Sequence, residues 1–471
     1  MLEELNYLPV DDIEYDKLDF NQKAKEIGDL VNSHPSHLPY SVSLNGPWGS
    51  GKSSMLNFIE QSLEKDNCSI IRFNPWMVTD SESLINHLFE EIYFEIDGSF
   101  AKAKSKFAEY AQKILTPATK VATYFTASSN GMEHGPAIAV SNSAGEAVKG
   151  IGDILFDRPL SKRKKDLHKI MYETYHDTSK KIVILIDELD RLFPDEIITV
   201  FQMIKSTLDF PGLIFIVAMD DNVVKDAIKQ KGINDPTYYL EKIFQRSFHV
   251  LTKFQIRTMT DHFLLPYLTD DESDRKLRDC LEAYVYLNKE KQFTNENSEY
   301  LASLEPEWIY KMNNDKEINN SYIKIYKELS THLNLNNPRT FIKFSVQIKE
   351  QWTNYYYGVI SGKTNEIHDL HAAFLILISY LYFPTTFDAG KFSLDSADEE
   401  RPTFFKTIAE HLNLIIPRYD RKDTTDTRII HRKRRDEIVD IATSYLYLHP
   451  DQKRFEKIKK EQDKKEESQT K

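Results

Sequence analysis

The sequence predicts an α/β domain, a doubly wound parallel sheet with an insertion, followed by a mainly α-helical C-terminal domain. Three observations carry that expectation. Runs of β-branched and aromatic residues alternate with helix-length apolar stripes from Tyr40 to Leu251, the order that builds parallel sheets. Two of those runs, from Lys181 to Asp187 and from Leu213 to Met219, are almost unbroken apolar sequence, as strands buried on both faces must be. Beyond about Phe254 no such run returns and helical spacing dominates.

The elements follow in order. Leu18, Phe20, Ala24, Ile27 and Val31 fall at helical spacing before the break His34-Pro35-Ser36. Tyr40 to Leu44 is the first strand and Ser54 to Ile59 opens the next helix. Cys68 to Phe73 is a second strand, stopped by Asn74-Pro75. Leu84, Leu88, Phe89, Ile92 and Ile96 form the stripe of an amphipathic helix. Small residues and breakers such as Ser128-Ser129-Asn130-Gly131 then mark an insertion over about 100–165. Its charged residues, Lys120, Glu133 and Lys149 among them, favour a mobile polar segment over a membrane hairpin. A helix through Ile197, Val200, Phe201 and Ile204 separates the two buried strands, and Ser247 to Leu251 is a last, shorter one. The expected domains are a helical segment 1–37, the sheet domain 38–255, a helical domain 256–450 and a charged tail 451–471.

The bulk numbers set bounds. A chain of 471 residues, 41% hydrophobic and 12% aromatic, is too long for one core and rich enough for two. Its two cysteines, Cys68 and Cys280, have no metal-type spacing and form no disulfide framework. A formal charge of −12 argues against coating nucleic acid by overall charge. The start, Met1-Leu2-Glu3-Glu4-Leu5, is acidic where a secretory signal is basic. No apolar run is long enough to span a membrane, so the expectation is a cytoplasmic protein.

The chemistry begins at Gly46-Pro47-Trp48-Gly49-Ser50-Gly51-Lys52-Ser53, between the first strand and its helix. Glycines let backbone N–H groups close around an oxyanion, and the helix N-terminus adds a favourable dipole. The spacing is that of a phosphate-binding P-loop, with Ser54 completing the nucleotide-binding set. Lys52 would reach the β and γ phosphates, and Ser53 would offer its hydroxyl to Mg2+. The plainer alternative is a glycine-rich turn, so further motifs have to decide.

Asp187 and Glu188 end the most hydrophobic strand, a poor place to bury a carboxylate and a good one to meet a ligand. Asp187 would hold the metal and Glu188 would act as general base. Asp190 and Arg191 extend the run; an ion pair at a helix start is an equal reading of them. Asp220, after the next buried strand, is either a sensor of the γ-phosphate or the cap of the following helix. Arg339, in Asn336-Asn337-Pro338-Arg339, sits at a helix start and either reports nucleotide state to the helical domain or simply faces solvent. Arg246, with Lys242 nearby, would act in trans as an arginine finger in a homo-oligomer.

Together the glycine loop, Phe73-Asn74-Pro75-Trp76, the stretch Ile184 to Leu192, the stretch Tyr239 to Gln245 and Asn337-Pro338-Arg339 resemble the KAP family of P-loop NTPases over roughly residues 10–350. The resemblance implies an ATPase of the additional-strand, catalytic-glutamate type, with Lys52 and Ser53 at phosphates and metal, Asp187 at the metal and Glu188 as base. Many members carry membrane helices inserted between the two Walker strands, and this insertion lacks the hydrophobicity for that. Bacterial members are linked to phage exclusion or plasmid functions, which makes antiviral defence the family-level expectation. The missing N-K-x-D motif agrees with adenine.

Three functions follow as expectations. The first is an ATP-hydrolysing switch or assembly platform that acts as a homo-oligomer or with a separate effector protein. The second is a nucleic-acid-stimulated motor or sensor, motivated by the basic runs Ser161 to Lys165 and His431 to Arg435, although such runs are more often solvated faces. The third is a scaffold that binds nucleotide without turning it over.

Overall fold

A computed structural model describes residues 8–77, 81–114, 159–250, 256–286, 316–357, 361, 367–382 and 403–415. They fall into two compact units, Leu8–Thr252 and a second that begins at Lys253. In the first unit β1 (Tyr40–Asn45), β2 (Cys68–Phe73), β3 (Lys181–Ile186), β4 (Leu213–Met219) and β5 (Arg246–His249) form one sheet in the order β2-β3-β4-β1-β5. Every pairing is parallel. The four longer strands lie where the β-branched runs put them. The edge strand β5 starts one residue earlier than expected and stops at His249; three of its four residues are exposed, so little apolar pattern marks it.

Helices α1 (Phe20–Ser33), α2 (Lys52–Ser62), α3 (Ser81–Glu95), α4 (Ala101–Ile114), α5 (Leu160–Tyr175), α6 (Pro194–Gln202), α7 (Asp221–Gln230) and α8 (Pro236–Glu241) complete this unit. Strand side chains alternate between faces. Ile184, Ile186, Phe215 and Val217 share one core with Leu88 and Phe89 of α3, Phe107 of α4, Met171 of α5 and Phe201 of α6. Each such side chain contributes roughly 1.5–3 kcal/mol of burial. The alternate set, Val183, Leu185, Ile214 and Ile216, is buried as deeply; α2 packs on β4 and α1 on α2. The unbroken apolar runs of β3 and β4 are thereby explained.

The insertion is narrower than its composition suggests. Helices α4 and α5 pack on each other and into the sheet's core, so both ends of the 100–165 stretch belong to the domain. Ala103, Phe107, Tyr110 and Ala111 keep helical spacing on the buried side, and the intervening lysines, on the opposite side of the helix, disguise the pattern. Residues 115–158, the basic run at 431–435 and the tail 451–471 lie outside the described residues.

Polar side chains lock the frame beneath the site. Lys181, the buried first residue of β3, donates to the Val31 and Asn32 carbonyls at the C-terminus of α1, at 2.8 and 2.6 Å. Burial holds its ammonium below the usual lysine range, and the helix-end carbonyls offset that desolvation. Gln245, just ahead of β5, accepts from the Ser41 N–H at 2.7 Å and from the Ser41 hydroxyl at 2.8 Å. That bond fixes the register in which β5 meets the glycine-loop strand.

The second unit, among its described residues, is helical: α9 (Ile256–Phe263), α10 (Glu272–Leu281), α11 (Lys316–Thr331), α12 (Pro338–Tyr355), α13 (Ile367–Tyr382) and α14 (Thr403–Ile415). Trp352 is fully buried and donates its indole N–H to the Ser273 carbonyl at 2.7 Å. A polar knot joins the rest. The Tyr284 hydroxyl lies 3.0 Å from His411 Nε2, the Ser321 hydroxyl 2.8 Å from His411 Nδ1, and the Tyr322 hydroxyl 3.0 Å from His371 Nδ1. Burial, reinforced by the neighbouring His371, pushes the His411 imidazole well below its ordinary range. The Tyr322 phenol is pushed above its own range by burial.

Candidate nucleotide-binding site

The sheet order decides where the functional side chains meet. In a parallel sheet, every turn that follows a strand's carboxyl end opens on one edge. The glycine loop follows β1, Asn74 follows β2, Asp187 and Glu188 follow β3, and Asp220 follows β4. The strand β4 stands between β1 and β3, so the glycine loop and the acidic turn are separated by one strand's width. This interposed strand is the additional strand that the resemblance implied.

The loop takes its shape from its glycines. Gly49 and Gly51 have φ of 83° and 94°, values that side-chain-bearing residues adopt only with strain. At Gly51 an added Cβ would also lie 2.4 Å from the Phe20 ring of α1. The Gly46 N–H donates to the Met219 carbonyl of β4, 3.1 Å away, and the Ser50 N–H closes a turn onto the Pro47 carbonyl at 3.1 Å. Helix α2 then starts at Lys52, and Ser53 sits half-buried in its first turn. The Ser54 hydroxyl accepts from the Val10 N–H at 2.9 Å, while Asn57 donates to the Val10 carbonyl at 3.0 Å and to Asp11 Oδ1 at 2.6 Å. Residues 10–11 are therefore strapped onto the loop's helix. Trp48, at the loop's apex, is 62% exposed.

Lys52 is buried in the cradle. Its Nζ donates to the Gly46 carbonyl at 3.0 Å and stands 3.5 Å from the Asp190 carboxylate; the two side chains are only 7% and 8% exposed. Asp190 reaches it through the turn after β3. There Glu188 has a left-handed backbone, φ 60°, a conformation that costs a non-glycine residue about 1–2 kcal/mol. Asp187 Oδ1 accepts from the Glu188 N–H at 2.8 Å, Asn74 donates to Glu188 Oε2 at 2.8 Å, and Arg191 pairs with Glu188 Oε1 at 2.6 Å. A strained backbone held by three side chains at a sheet edge is a mark of function. The Asp190–Arg191 ion pair considered from the sequence does not form: each residue pairs with a different part of the site.

Asp220 is buried and its Oδ1 accepts from the Asn222 N–H at 3.1 Å, so it caps α7 at the same edge. Arg246 is exposed and lies opposite Val42, toward the amino end of β1 and away from the cradle of its own chain. Lys242 stacks over the Tyr238 ring at 4.3 Å. Arg339 belongs to the helical unit, one residue past Pro338 at the start of α12, where Asn337 caps the helix by accepting from the Thr340 N–H at 3.3 Å. Of the basic run Ser161 to Lys165, Arg163 is buried and donates to the Glu109 carbonyl, and Lys164 donates to the Ser206 carbonyl. Half of that run's cations are thus committed to packing rather than offered to a phosphate backbone.

The site has room in its chemistry for a ligand. Ser50 Oγ and Asn45 Oδ1, beside and beneath the cradle, are buried without a hydrogen-bond partner among the described residues, which is costly unless something else bonds them. The Ser53 hydroxyl and the Asp187 carboxylate are hard oxygen donors of the type magnesium takes. Asn74 and Asp190 gained no firm role from sequence alone. The signal available for Asn74 was its place directly after a buried strand, the position that singles out Asp187. Asp190 shows nothing until the 3₁₀ turn brings it over Lys52.

No described helix is long and apolar enough to cross a membrane. Among known proteins, the chain is 27% identical over 250 residues to a phage T7 exclusion protein of Escherichia coli K12, covering 51% of this chain and 34% of that one. It is 23% identical over 207 residues to an uncharacterised HTH-type transcriptional regulator of Methanocaldococcus jannaschii, covering 44% of each. The matches thus span about a third and under half of the lengths of these relatives. A solved structure of the Aeropyrum pernix ORC2 protein covers 90% of this chain and 93% of its own at 12% identity and a TM-score of 0.24, a likeness too distant to carry an argument. The model of the KAP family P-loop domain matches residues 20–350, most of the chain and all of the cradle: this protein belongs to the KAP family of P-loop NTPases.

Proposed function

We propose that the protein is a magnesium-dependent ATPase that works as a switch or assembly platform in the exclusion of phage. The observation that supports it best is the convergence of Lys52, Asp187 and Glu188 on one sheet edge, with Glu188 held by Asn74 and Arg191. The loop N–H groups and Lys52 bind and orient the phosphates. Ser53 and Asp187 would hold magnesium, which would supply charge neutralisation at the phosphates. Glu188 accepts the proton of the attacking water through a lone pair that Asn74 and Arg191 leave open. Asp220 senses the γ-phosphate through its cap on α7, and Arg246 serves a neighbouring copy.

The defence role rests on similarity to the exclusion protein. In this reading the output is carried by a separate effector protein in the cytoplasm. The test is phosphate release from ATP. Wild type should turn over, Lys52→Ala should lose binding, and Glu188→Gln should bind as before and turn over about 10²–10³-fold more slowly. Unchanged release by Glu188→Gln would remove Glu188 from the chemistry. In a phage challenge, cells carrying Lys52→Ala should lose protection.

A further inference from the structure

We infer that Asp190 is an internal counter-ion for Lys52, a carboxylate that competes with the nucleotide's phosphates and sets how fast they leave. The inference rests on the nucleotide-binding reading above and adds a residue that tunes it. Among the described residues Lys52 Nζ has three partners: the Gly46 carbonyl at 3.0 Å, the Pro47 carbonyl at 3.5 Å and the Asp190 carboxylate at 3.5 Å. A buried ammonium without a counter-charge is strongly unfavourable, and Asp190 removes that penalty. The other two acids of the turn are engaged elsewhere, Asp187 with the Glu188 N–H and Glu188 with Asn74 and Arg191.

The consequence is a competition. Phosphate oxygens must take over the Lys52 donors that Asp190 uses, and the carboxylate is then left beside the anion it was displaced by. Both effects weaken binding, and the Coulomb part grows with each phosphate charge. Removing the charge of Asp190 while keeping an acceptor should therefore tighten nucleotide binding, and more so for more highly charged nucleotides.

The experiment measures the affinity and dissociation rate of AMP, ADP and ATP, with and without magnesium, for wild type, Asp190→Asn and Asp190→Glu. Melting of each protein is followed alongside. Asp190→Asn should bind ATP about tenfold tighter, about 1.4 kcal/mol, mainly through slower dissociation. The gain should shrink from ATP to ADP and vanish for AMP. Without nucleotide this variant should melt below wild type, and saturating ATP should close the gap. Asp190→Glu, which keeps the charge, should bind within a few-fold of wild type. Should Asp190→Asn fail to fold, Asp190→Ser, which also removes the charge and keeps an acceptor, should show the same graded gain, and absence of that gain overturns the inference. Equal or weaker ATP binding by Asp190→Asn overturns the inference, as does a loss confined to magnesium-containing samples, which would make Asp190 a metal ligand. A wild type that binds no nucleotide would instead overturn the nucleotide reading itself.

Discussion

The two units place their buried polar groups differently. In the helical unit Tyr284, Ser321, Tyr322, His371 and His411 close on one another in the interior, and the Trp352 indole finds a backbone carbonyl. In the α/β unit the polar groups of the candidate site stand along one sheet edge, with Glu188 in a left-handed conformation and Ser50 and Asn45 carrying oxygens without a hydrogen-bond partner among the described residues. An interior network of polar side chains specifies packing. A strained, partly unsatisfied edge stores free energy that a ligand can release. The difference teaches that neither burial nor one unpartnered atom marks a site, since Asn336 Oδ1 in the helical unit is also buried without a hydrogen-bond partner among the described residues; what marks it is the gathering of such atoms and a strained backbone at one sheet edge.

Three changes test that contrast, the largest first. Trp352→Ala should remove about 3–5 kcal/mol from the helical unit, through a cavity and a lost hydrogen bond, while nucleotide affinity at the α/β unit stays within a few-fold of wild type. Urea unfolding followed together with nucleotide binding reads both, and a matching loss of affinity would break the contrast. Acidification comes next. His411 is held neutral in the fold, below its unfolded value of 6.5, so the unfolded chain binds the proton first. Stability is therefore complete above pH 6.5 and falls as pH drops below it, by at most about 1.4 kcal/mol per pH unit. His411→Gln should flatten that slope in pH-dependent melting. The smallest is Asn74→Ala, which should change turnover by about tenfold, or about 1.4 kcal/mol, with melting temperature unmoved. A lowered melting temperature instead would make Asn74 part of the frame.

Much of the α/β unit was legible because its signals are local. The β-branched runs of β3 and β4 and the spacing of the glycine loop lie in contiguous sequence. The place of Asp187 and Glu188 at the sheet edge was legible because they directly follow an apolar strand. What stayed hidden depends on distance. The strap of Val10 onto Ser54 joins residues 44 apart, and the Asn74–Glu188 bond joins residues 114 apart. Helices α4 and α5 were obscured for another reason: lysines crowd their outer sides, and on α5 Arg163 and Lys164 bond backward onto backbone carbonyls. Counting charges by composition cannot distinguish such committed cations from solvated ones.

The position of β4 has a consequence in time. Among the described residues the strand that feeds the glycine loop hydrogen-bonds only to β4 and β5, which follow it in the chain and begin at Leu213 and Arg246. Until they are made β1 has no ladder to join, and β2 and β3 can pair without it. Long-range parallel pairing is slow to form, and a chain emerging N-terminus first must hold β1 unpaired until Met219 has been made. The glycine loop is thus among the first parts of this domain to be synthesised, while the strand that carries it waits for partners made much later.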